Sequence, residues 1–163
     1  MKTVTYFPQL EDVKVASSIL KDVVAETPLM KNFNASKEHD ASIYLKREDL
    51  QNVRSYKIRG AFNKISSLTN NELAKGVVCA SAGNHAQGVA FSCKLKKIKG
   101  VIFMPLPTPQ QKIDQVRMFG KDYVQIELVG DTFDDAQLAA KEFCNSNQMT
   151  FIPPFDDEKV IEG

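Results

Sequence analysis

The sequence is poor in the residues that build metal centres and disulfide-bonded domains. Its 163 residues include three cysteines, two histidines and no tryptophan. Cys79, Cys93 and Cys144 are odd in number and form no CxxC pair, so neither disulfide bridges nor a thiolate zinc site is expected. His39 and His85 lie at no ligand spacing from each other or from a cysteine, so no metal site is predicted. This cysteine usage fits a reducing, cytoplasmic location.

Long apolar runs and an excess of one charge are also missing. The longest apolar stretches, such as residues 101–104, are far too short to span a bilayer. The first residues, MKTVTYFPQLED, turn polar before an apolar segment develops, which argues against a secretory signal. The net charge is +1, with acids and bases mixed along the chain. We therefore expect a soluble protein with no nucleic-acid partner and no membrane partner.

Glycine pairs are absent, and this limits the kinds of phosphate site that the chain can offer. None of its eight glycines is adjacent to another, and no GxGxxG occurs. Gly83 and Gly88 have the GxxxxG spacing, but Val89 and Ala90 follow in place of Lys and Ser/Thr. A Walker A loop is therefore excluded. The common nucleotide-binding enzymes are disfavoured.

What is present is a regular alternation of short apolar runs with amphipathic segments. Strands are predicted at residues 43–45, 77–80, 101–104, 123–129 and 149–152. Helices are predicted at residues 11–24, at about 58–68, from about 84 to 93, from a capping box at Thr108 with Pro109 in the first helical position, and after a cap at Asp131. Strands that alternate with such helices indicate βαβ units. The predicted fold class is α/β, with an open parallel sheet.

In an open parallel sheet, ligands bind beyond the carboxyl ends of the strands. The first such turn comprises Ser81, Ala82, Gly83, Asn84 and His85. Gly83 lets the backbone approach a ligand, and the free amides of the helix start favour an anion such as a substrate carboxylate. The alternative is a plain turn whose small residues serve packing. For His85, a structural hydrogen bond is the expected role.

A second candidate is Lys57, in the segment SYKIRGA that follows KREDLQ. A lysine at a helix start opposes the helix dipole, and this one has Arg54 and Arg59 as neighbours. An amine that is desolvated or crowded by other cations becomes a nucleophile. The alternative is a surface lysine on a solvated, charged face. The local residues leave both possibilities open.

Taken together, four motifs point to a known family. KREDLQ…SYKIRGA, CASAGNHAQGVA, MPxxTPxxKxxxVRxFG and GDTFDDA occur in this order from about Thr27 to the end of the chain. In order and spacing they resemble the threonine/serine dehydratase branch of the fold-type II pyridoxal-phosphate (PLP) enzymes.

The resemblance implies a role for each candidate residue. Lys57 would form the Schiff base with PLP, and Asn84 would hydrogen-bond the cofactor's ring hydroxyl. Tyr56 would pack beside the cofactor ring, where the family usually has phenylalanine. Arg59 and Gly60 would support the lysine helix. The substrate carboxylate would be bound by the loop of Ser81, Ala82, Gly83, Asn84 and His85.

The implied reaction is the dehydration and deamination of L-threonine to 2-oxobutanoate and ammonia, as in isoleucine biosynthesis. Released Lys57 would take the Cα proton. Racemases of this branch carry a hydroxyl residue where this chain has Ala82, so elimination is favoured over racemisation. Serine dehydratase, racemase and a non-catalytic α/β binding module remain the alternatives.

The resemblance also implies an extent. The family's catalytic region is about twice this length, which is typical of two domains, and its phosphate cradle is a glycine-rich run that this chain lacks. We expect residues 1–52 to be N-terminal elements of the larger lobe. Residues 53–152 would form the small α/β lobe, and residues 153–163 would begin the return to the larger lobe. The 163-residue chain is expected to be inactive alone, and the full-length enzyme to be a homo-oligomer.

Overall fold

The computed structural model describes residues 6–163 and is built around a four-stranded parallel sheet. Its strands are β3 (Val77–Ala80), β4 (Gly100–Met104), β5 (Val124–Leu128) and β6 (Thr150–Phe151), and their spatial order is β5-β4-β3-β6. All three pairings within it are parallel. The predicted α/β class and open parallel sheet are confirmed.

Helices cover both faces of this sheet, so its central strands are buried throughout. Every residue of β3 and β4 is buried. Alternate side chains of β3 enter different cores: Val77 and Cys79 pack with one set of helices, and Val78 and Ala80 with another. The first core is formed with α3 (Lys57–Ser66), α5 (Asn84–Lys96) and α6 (Gln110–Gly120), and the second with α7 (Phe133–Ser146). This burial on both faces explains the continuous apolar runs in the sequence.

The N-terminal part lies outside this sheet. It comprises α1 (Leu10–Leu20), β1 (Leu29–Lys31), α2 (Phe33–Glu38) and β2 (Tyr44–Lys46), and β1 pairs antiparallel with β2 as a separate ribbon. Every residue of the two ribbon strands is exposed. The predicted strand at residues 43–45 is confirmed with a shift of one residue, whereas β1 and α2 are short elements that the periodicity did not indicate.

Two more short helices flank the lysine helix. The helix α4 (Asn70–Lys75) leads into β3 and begins with a capping box between Thr69 and Glu72. The helix α8 (Glu158–Glu162) follows β6 and packs on α3. A Cβ built on Gly60 would stand 2.5 Å from the carbonyl oxygen of Val160, so only glycine permits this approach of α8 to α3.

Several predicted boundaries are corrected. The first helix ends at Leu20, not at residue 24, because Asp22 takes φ 67° and turns the chain. Pro109 is the residue that precedes α6 and has an extended ψ of 136°, so it is not the first helical residue. The Thr108 hydroxyl donates to the carbonyl of Pro105 (2.7 Å) in place of the predicted cap.

The cap of α7 is also one residue later than predicted. Thr132, not Asp131, accepts the backbone N–H of Asp135 through its hydroxyl (3.2 Å). The Asp135 carboxylate in turn accepts the backbone N–H groups of Asp131 and Thr132 (3.1 and 3.0 Å). Gly130 has φ +67°, which brings the chain close to Asp135. The motif GDTFDDA therefore builds a helix start.

Candidate active site

Lys57 is the first residue of α3, and its amine points to the segment that follows β6. The ammonium group donates a hydrogen bond to the carbonyl oxygen of Pro154, with an Nζ–O distance of 2.6 Å. It also lies 5.3 Å from the ring centroid of Tyr56, within cation–π range. These two contacts hold the amine at a defined place. Lys57 is half-buried, so it differs from the solvated surface lysine that was the alternative from the sequence.

A glycine in α5 sets the position of the first turn of α3. A Cβ built on Gly88 would stand 3.0 Å from the carbonyl oxygen of Lys57 and 3.2 Å from the backbone nitrogen of Ile58. These are backbone atoms, which could give way only if α3 itself moved. Gly88 therefore allows the lysine-bearing end of α3 to lie directly against α5, the helix that begins at Asn84.

The predicted turn at residues 81–85 joins β3 to α5 at the carboxyl end of the sheet. The N–H of Ser81 donates to the carbonyl of Phe103 in the neighbouring strand (3.0 Å), and its hydroxyl accepts the N–H of Gly83 (3.2 Å). Apart from Gly83 itself and its two chain neighbours, no described residue comes within 4 Å of a Cβ built on Gly83, so this side of the turn is open. The first N–H groups of α5, beginning at Asn84, have no acceptor four residues earlier within the helix.

His85 is the one residue of this turn that is deeply buried, with 4% of its surface exposed. Its Nε2 lies 3.0 Å from the carbonyl oxygen of Ile152. Because a carbonyl only accepts, Nε2 must carry the proton, which leaves Nδ1 as a bare acceptor. Nδ1 is buried and has no hydrogen-bond partner among residues 6–163.

The surroundings of His85 keep it neutral. Burial lowers the pKa of its imidazole to about 4, the charge of Lys57 acts in the same direction, and the bond to Ile152 opposes both. A cationic side chain at the N-terminus of a helix is also opposed by the helix dipole. Lys57 therefore lies beside a histidine that carries no charge at neutral pH.

A cavity of about 270 Å³ brings three of the predicted site residues together. Tyr56, Lys57 and His85 line it, with Gly60, Pro154, Phe155 and the last turn of the chain. Ser81, Ala82, Gly83 and Asn84 are not among its lining residues. They form the turn before His85, where Asn84 is exposed and Ala82 packs on the core.

A larger groove of about 990 Å³ lies next to this cavity and does not include Lys57. It runs between α1, residues 21–26 and the side chains of Lys46, Glu48 and Arg59. Tyr56 and Arg59 line both spaces. Basic and acidic side chains are mixed in the groove, and it contains none of the turn residues. The smaller cavity is therefore the candidate active site.

The motif KREDLQ supports the lysine helix from the opposite side. The Glu48 carboxylate accepts two bonds from Arg59 of α3 (Nε–Oε2 2.9 Å, Nη2–Oε1 2.8 Å) and one from the Thr27 hydroxyl (2.6 Å). The Arg59 guanidinium is the main cause that lowers the pKa of Glu48 to about 2, against the opposing effect of burial. Gln51 exchanges two hydrogen bonds with the backbone of Ala25 (2.9 and 2.8 Å).

Reasoning from the sequence missed the contributions of Ile152 and Pro154, because both act through backbone carbonyls. Gly88 was also missed, although it left a signal: like Gly60 in α3, it is a glycine in the interior of a buried helix. Among residues 6–163 no group of three or more His, Cys, Asp or Glu side chains could hold a metal ion. In the same part of the chain no helix has the length and apolarity needed to cross a membrane.

The fold and the site together define a class of protein. A parallel α/β sheet with a held lysine and an open turn at the carboxyl end of its strands has the arrangement of α/β enzymes that bind an anionic ligand there. The profile of the pyridoxal-phosphate-dependent enzyme family matches residues 20–163. The chain belongs to this family.

Close relatives of the chain are threonine dehydratases, which form one branch of this family. The chain is 59% identical over 155 residues to the biosynthetic L-threonine dehydratase of Halalkalibacterium halodurans, and 54% identical over 155 residues to that of Bacillus subtilis. Each comparison covers 95% of this chain and 37% of the relative. The chain therefore spans less than two fifths of the length of these relatives, in agreement with the expected partial extent.

Solved structures show the same arrangement of elements. A processed form of threonine deaminase isoform 2 from Solanum lycopersicum is 42% identical, with a TM-score of 0.84 over 96% of this chain and 46% of that chain. A serine racemase from Dictyostelium discoideum is 30% identical, with a TM-score of 0.85 over 95% of this chain and 50% of that chain.

Proposed function

We propose that this chain carries the lysine side of the PLP site of a threonine dehydratase, which converts L-threonine to 2-oxobutanoate and ammonia. The observation that carries the proposal is the position of the Lys57 amine. It lies in a cavity beside His85, the last residue of the turn at the carboxyl end of the sheet. The names of the relatives at 59% and 54% identity support the choice of substrate.

The residues present fit one end of the cofactor. Lys57 supplies an amine inside a cavity of about 270 Å³, close to the lower end of the usual size of small-molecule sites. The open side of Gly83 leaves room for a ligand over the start of α5. A glycine-rich run for the phosphate does not occur in the 163 residues. The residues present can therefore bind the reactive end of PLP and the substrate, but they do not provide a site for the phosphate.

When bound, PLP withdraws electrons from the substrate Cα, so that the Cα–H becomes acidic and the β-hydroxyl can leave. Lys57 is the residue that would bind the cofactor covalently through Nζ. In its free form the same Nζ would accept the Cα proton of the substrate. To accept a proton, the Lys57 amine must be in its deprotonated form, since an ammonium group has no free lone pair.

The turn at residues 81–85 orients the substrate. The free backbone N–H groups at the start of α5 and the hydroxyl of Ser81 are donors for its carboxylate. Asn84 is exposed on this edge, and it would donate a hydrogen bond to the ring hydroxyl of the cofactor. Tyr56 lines the cavity next to Lys57, and it would pack against the ring of the cofactor. Its own hydroxyl is the one departure from the phenylalanine usual at this position.

Two other activities of the same branch are less well supported. A racemase needs a second group that moves a proton on the opposite face of the cofactor, and Ala82 carries no such group. A serine dehydratase would use the same residues for a substrate with one methyl group fewer. Threonine is preferred because the relatives of high identity bear that name.

The setting of the whole protein belongs to the same proposal. We place it in isoleucine biosynthesis in the cytoplasm, as a homo-oligomer when complete. Within the chain, residues 1–52 and 153–163 are proposed to belong with the larger lobe of the family fold, and residues 53–152 to form the small lobe.

Reductive trapping tests the proposal. The 163-residue chain is incubated with PLP, reduced with borohydride and mapped by peptide mass spectrometry. We expect the label on Lys57 and its loss in Lys57→Arg. The matched control is Lys64→Arg, a change on the same helix, which should leave the label in place. Equal labelling of many surface lysines would support a non-catalytic α/β binding module instead.

An activity assay tests the expected extent. Threonine deamination is measured with the chain alone and with PLP added. The proposal expects no turnover, since the phosphate contacts are not provided. Turnover at the rate of a complete dehydratase would mean that 163 residues suffice.

A further inference from the structure

Two backbone carbonyls after β6 each bind one side chain of the candidate site. The carbonyl of Ile152 accepts the Nε2–H of His85 (3.0 Å), and the carbonyl of Pro154 accepts the Lys57 ammonium (2.6 Å). Only Pro153 separates them in the sequence. His85 and Lys57 come from different helices, so this short segment is a physical link between them.

The segment 152–154 is stiff. The rings of Pro153 and Pro154 restrict φ to about −65°, and neither residue has an N–H that could form another hydrogen bond. Its first residue is fixed to the sheet, because the N–H of Ile152 donates to the carbonyl of Val78 (2.8 Å) and its side chain is fully buried. The position of the Ile152 carbonyl therefore largely determines that of the Pro154 carbonyl.

His85 is equally constrained at its own end. It belongs to the first turn of α5, its imidazole is buried, and its single N–H is directed at Ile152. Its other nitrogen is enclosed without a partner among the described residues. In this setting the ring has one stable hydrogen bond to make. Through this hydrogen bond the ring connects the first turn of α5 to Ile152, the residue that follows β6.

We infer that His85 is a positioning residue for Lys57, and that it acts through the stiff segment 152–154. The hydrogen bond from His85 fixes the position of the Ile152 carbonyl. Because the two prolines restrict the backbone, the Pro154 carbonyl is fixed with it and holds the lysine amine in the cavity. The inference rests on the proposed function only for the role that Lys57 then plays. The geometric link itself can be measured without cofactor.

The test compares the acylation rate of Lys57 with that of Lys141, an exposed lysine on α7, in the full chain without PLP. Four variants are compared with the parent. His85→Leu removes the donor. His85→Gln keeps an N–H at the same number of bonds from the backbone. Pro153→Gly keeps both hydrogen-bond partners and removes the stiffness. Lys64→Met is the control, because it breaks the Lys64–Asp157 ion pair (2.7 Å) farther along the same segment.

We expect the Lys57/Lys141 ratio to rise about fivefold in His85→Leu and in Pro153→Gly, the scale of one lost hydrogen bond. We expect it to stay near the parent value in His85→Gln and Lys64→Met. If His85→Leu does not fold, Pro153→Gly decides the question. An unchanged ratio in Pro153→Gly, or an equal rise in His85→Leu and His85→Gln, would overturn the inference. If the ratios behave as expected but trapping with PLP fails, the proposed function is wrong and the positioning role stands.

Discussion

Glu48 and Arg59 form a bidentate ion pair that joins the loop before α3 to α3 itself. Two nitrogens of the guanidinium meet the two carboxylate oxygens at 2.9 and 2.8 Å. Both side chains are largely buried, with 16% and 27% of their surfaces exposed. Such paired hydrogen bonds depend on the planar fork of arginine, which lysine does not have. The stability of the lysine helix should therefore depend on this pair.

Breaking this pair should be costly. We expect Arg59→Lys and Glu48→Gln to lower the free energy of unfolding by about 2 kcal/mol, because each leaves a partly buried charge incompletely paired. Urea unfolding measures the change. The control is Asp49→Asn, which breaks the exposed Arg47–Asp49 pair (2.6 Å) and should cost less than about 1 kcal/mol. Equal losses in the two cases would contradict the structural role of Glu48.

Gly88 should tolerate no larger side chain. In Gly88→Ala the new methyl group would meet the backbone of Lys57 at 3.0 Å and push the start of α3 from α5. We expect a loss of about 1–2 kcal/mol in unfolding free energy, after the better helix propensity of alanine is allowed for. We also expect PLP labelling of Lys57 to fall severalfold. Gly83→Ala is the matched change in open space and should leave stability nearly unaltered; a larger loss there than at Gly88 would refute the packing explanation.

The buried imidazole should make stability depend on pH. The pKa of His85 is lowered to about 4 in the folded chain, from an ordinary value of about 6.5. Its neutral state therefore adds stability that is complete above pH 6.5 and is lost as the pH falls towards 4, because the unfolded chain binds the proton more readily. Unfolding free energies of the parent and of His85→Gln are measured between pH 7.5 and 4.5.

Relative to His85→Gln, the parent should lose on the order of 2–3 kcal/mol over this range. Carboxylates that bind protons at the acid end of this range are common to both proteins and cancel in the difference. If the unfolding free energies of the parent and of His85→Gln changed with pH by the same amount, His85 would not be held neutral by the fold.

The start of α7 offers a test of which residue caps it. Thr132→Ala should cost about 1 kcal/mol in unfolding free energy, because it removes the hydroxyl that accepts the N–H of Asp135. Asp131→Ala should cost less than about 0.5 kcal/mol, since Asp131 contributes its backbone N–H to Asp135 and alanine keeps that group. A larger loss in Asp131→Ala than in Thr132→Ala would show that Asp131 caps the helix, as the sequence suggested.

The sheet and its order of elements were predictable because βαβ units carry strong local signals. The strands at residues 77–80 and 101–104 are buried on both faces and read as unbroken apolar runs. Short elements such as β1 and α2 were not predictable, because three to six residues hold too little periodicity. The cap of α7 was misplaced since Asp131 and Thr132 are both good capping residues, and only Gly130 decides between them.

The site was predictable only in part. Lys57 and the turn at residues 81–85 were singled out by motif, and the structure places Lys57 with His85 in one cavity. The Pro154 carbonyl left no trace in the sequence, because every residue carries the same carbonyl and only tertiary contacts select one. The same reason hid Ile152. The roles assigned to Asn84, Tyr56 and the turn remain predictions.

The two prolines after β6 also bear on how the sheet meets other molecules. A strand at the edge of a sheet can recruit a further strand from another chain, a common start of aggregation. At this edge β6 has only two residues, and Pro153 and Pro154 follow it without an N–H to offer. The opposite edge strand, β5, carries Glu127 and is five residues long. The same rigid pair that fixes the lysine amine thus also closes one side of the sheet to intermolecular β-pairing.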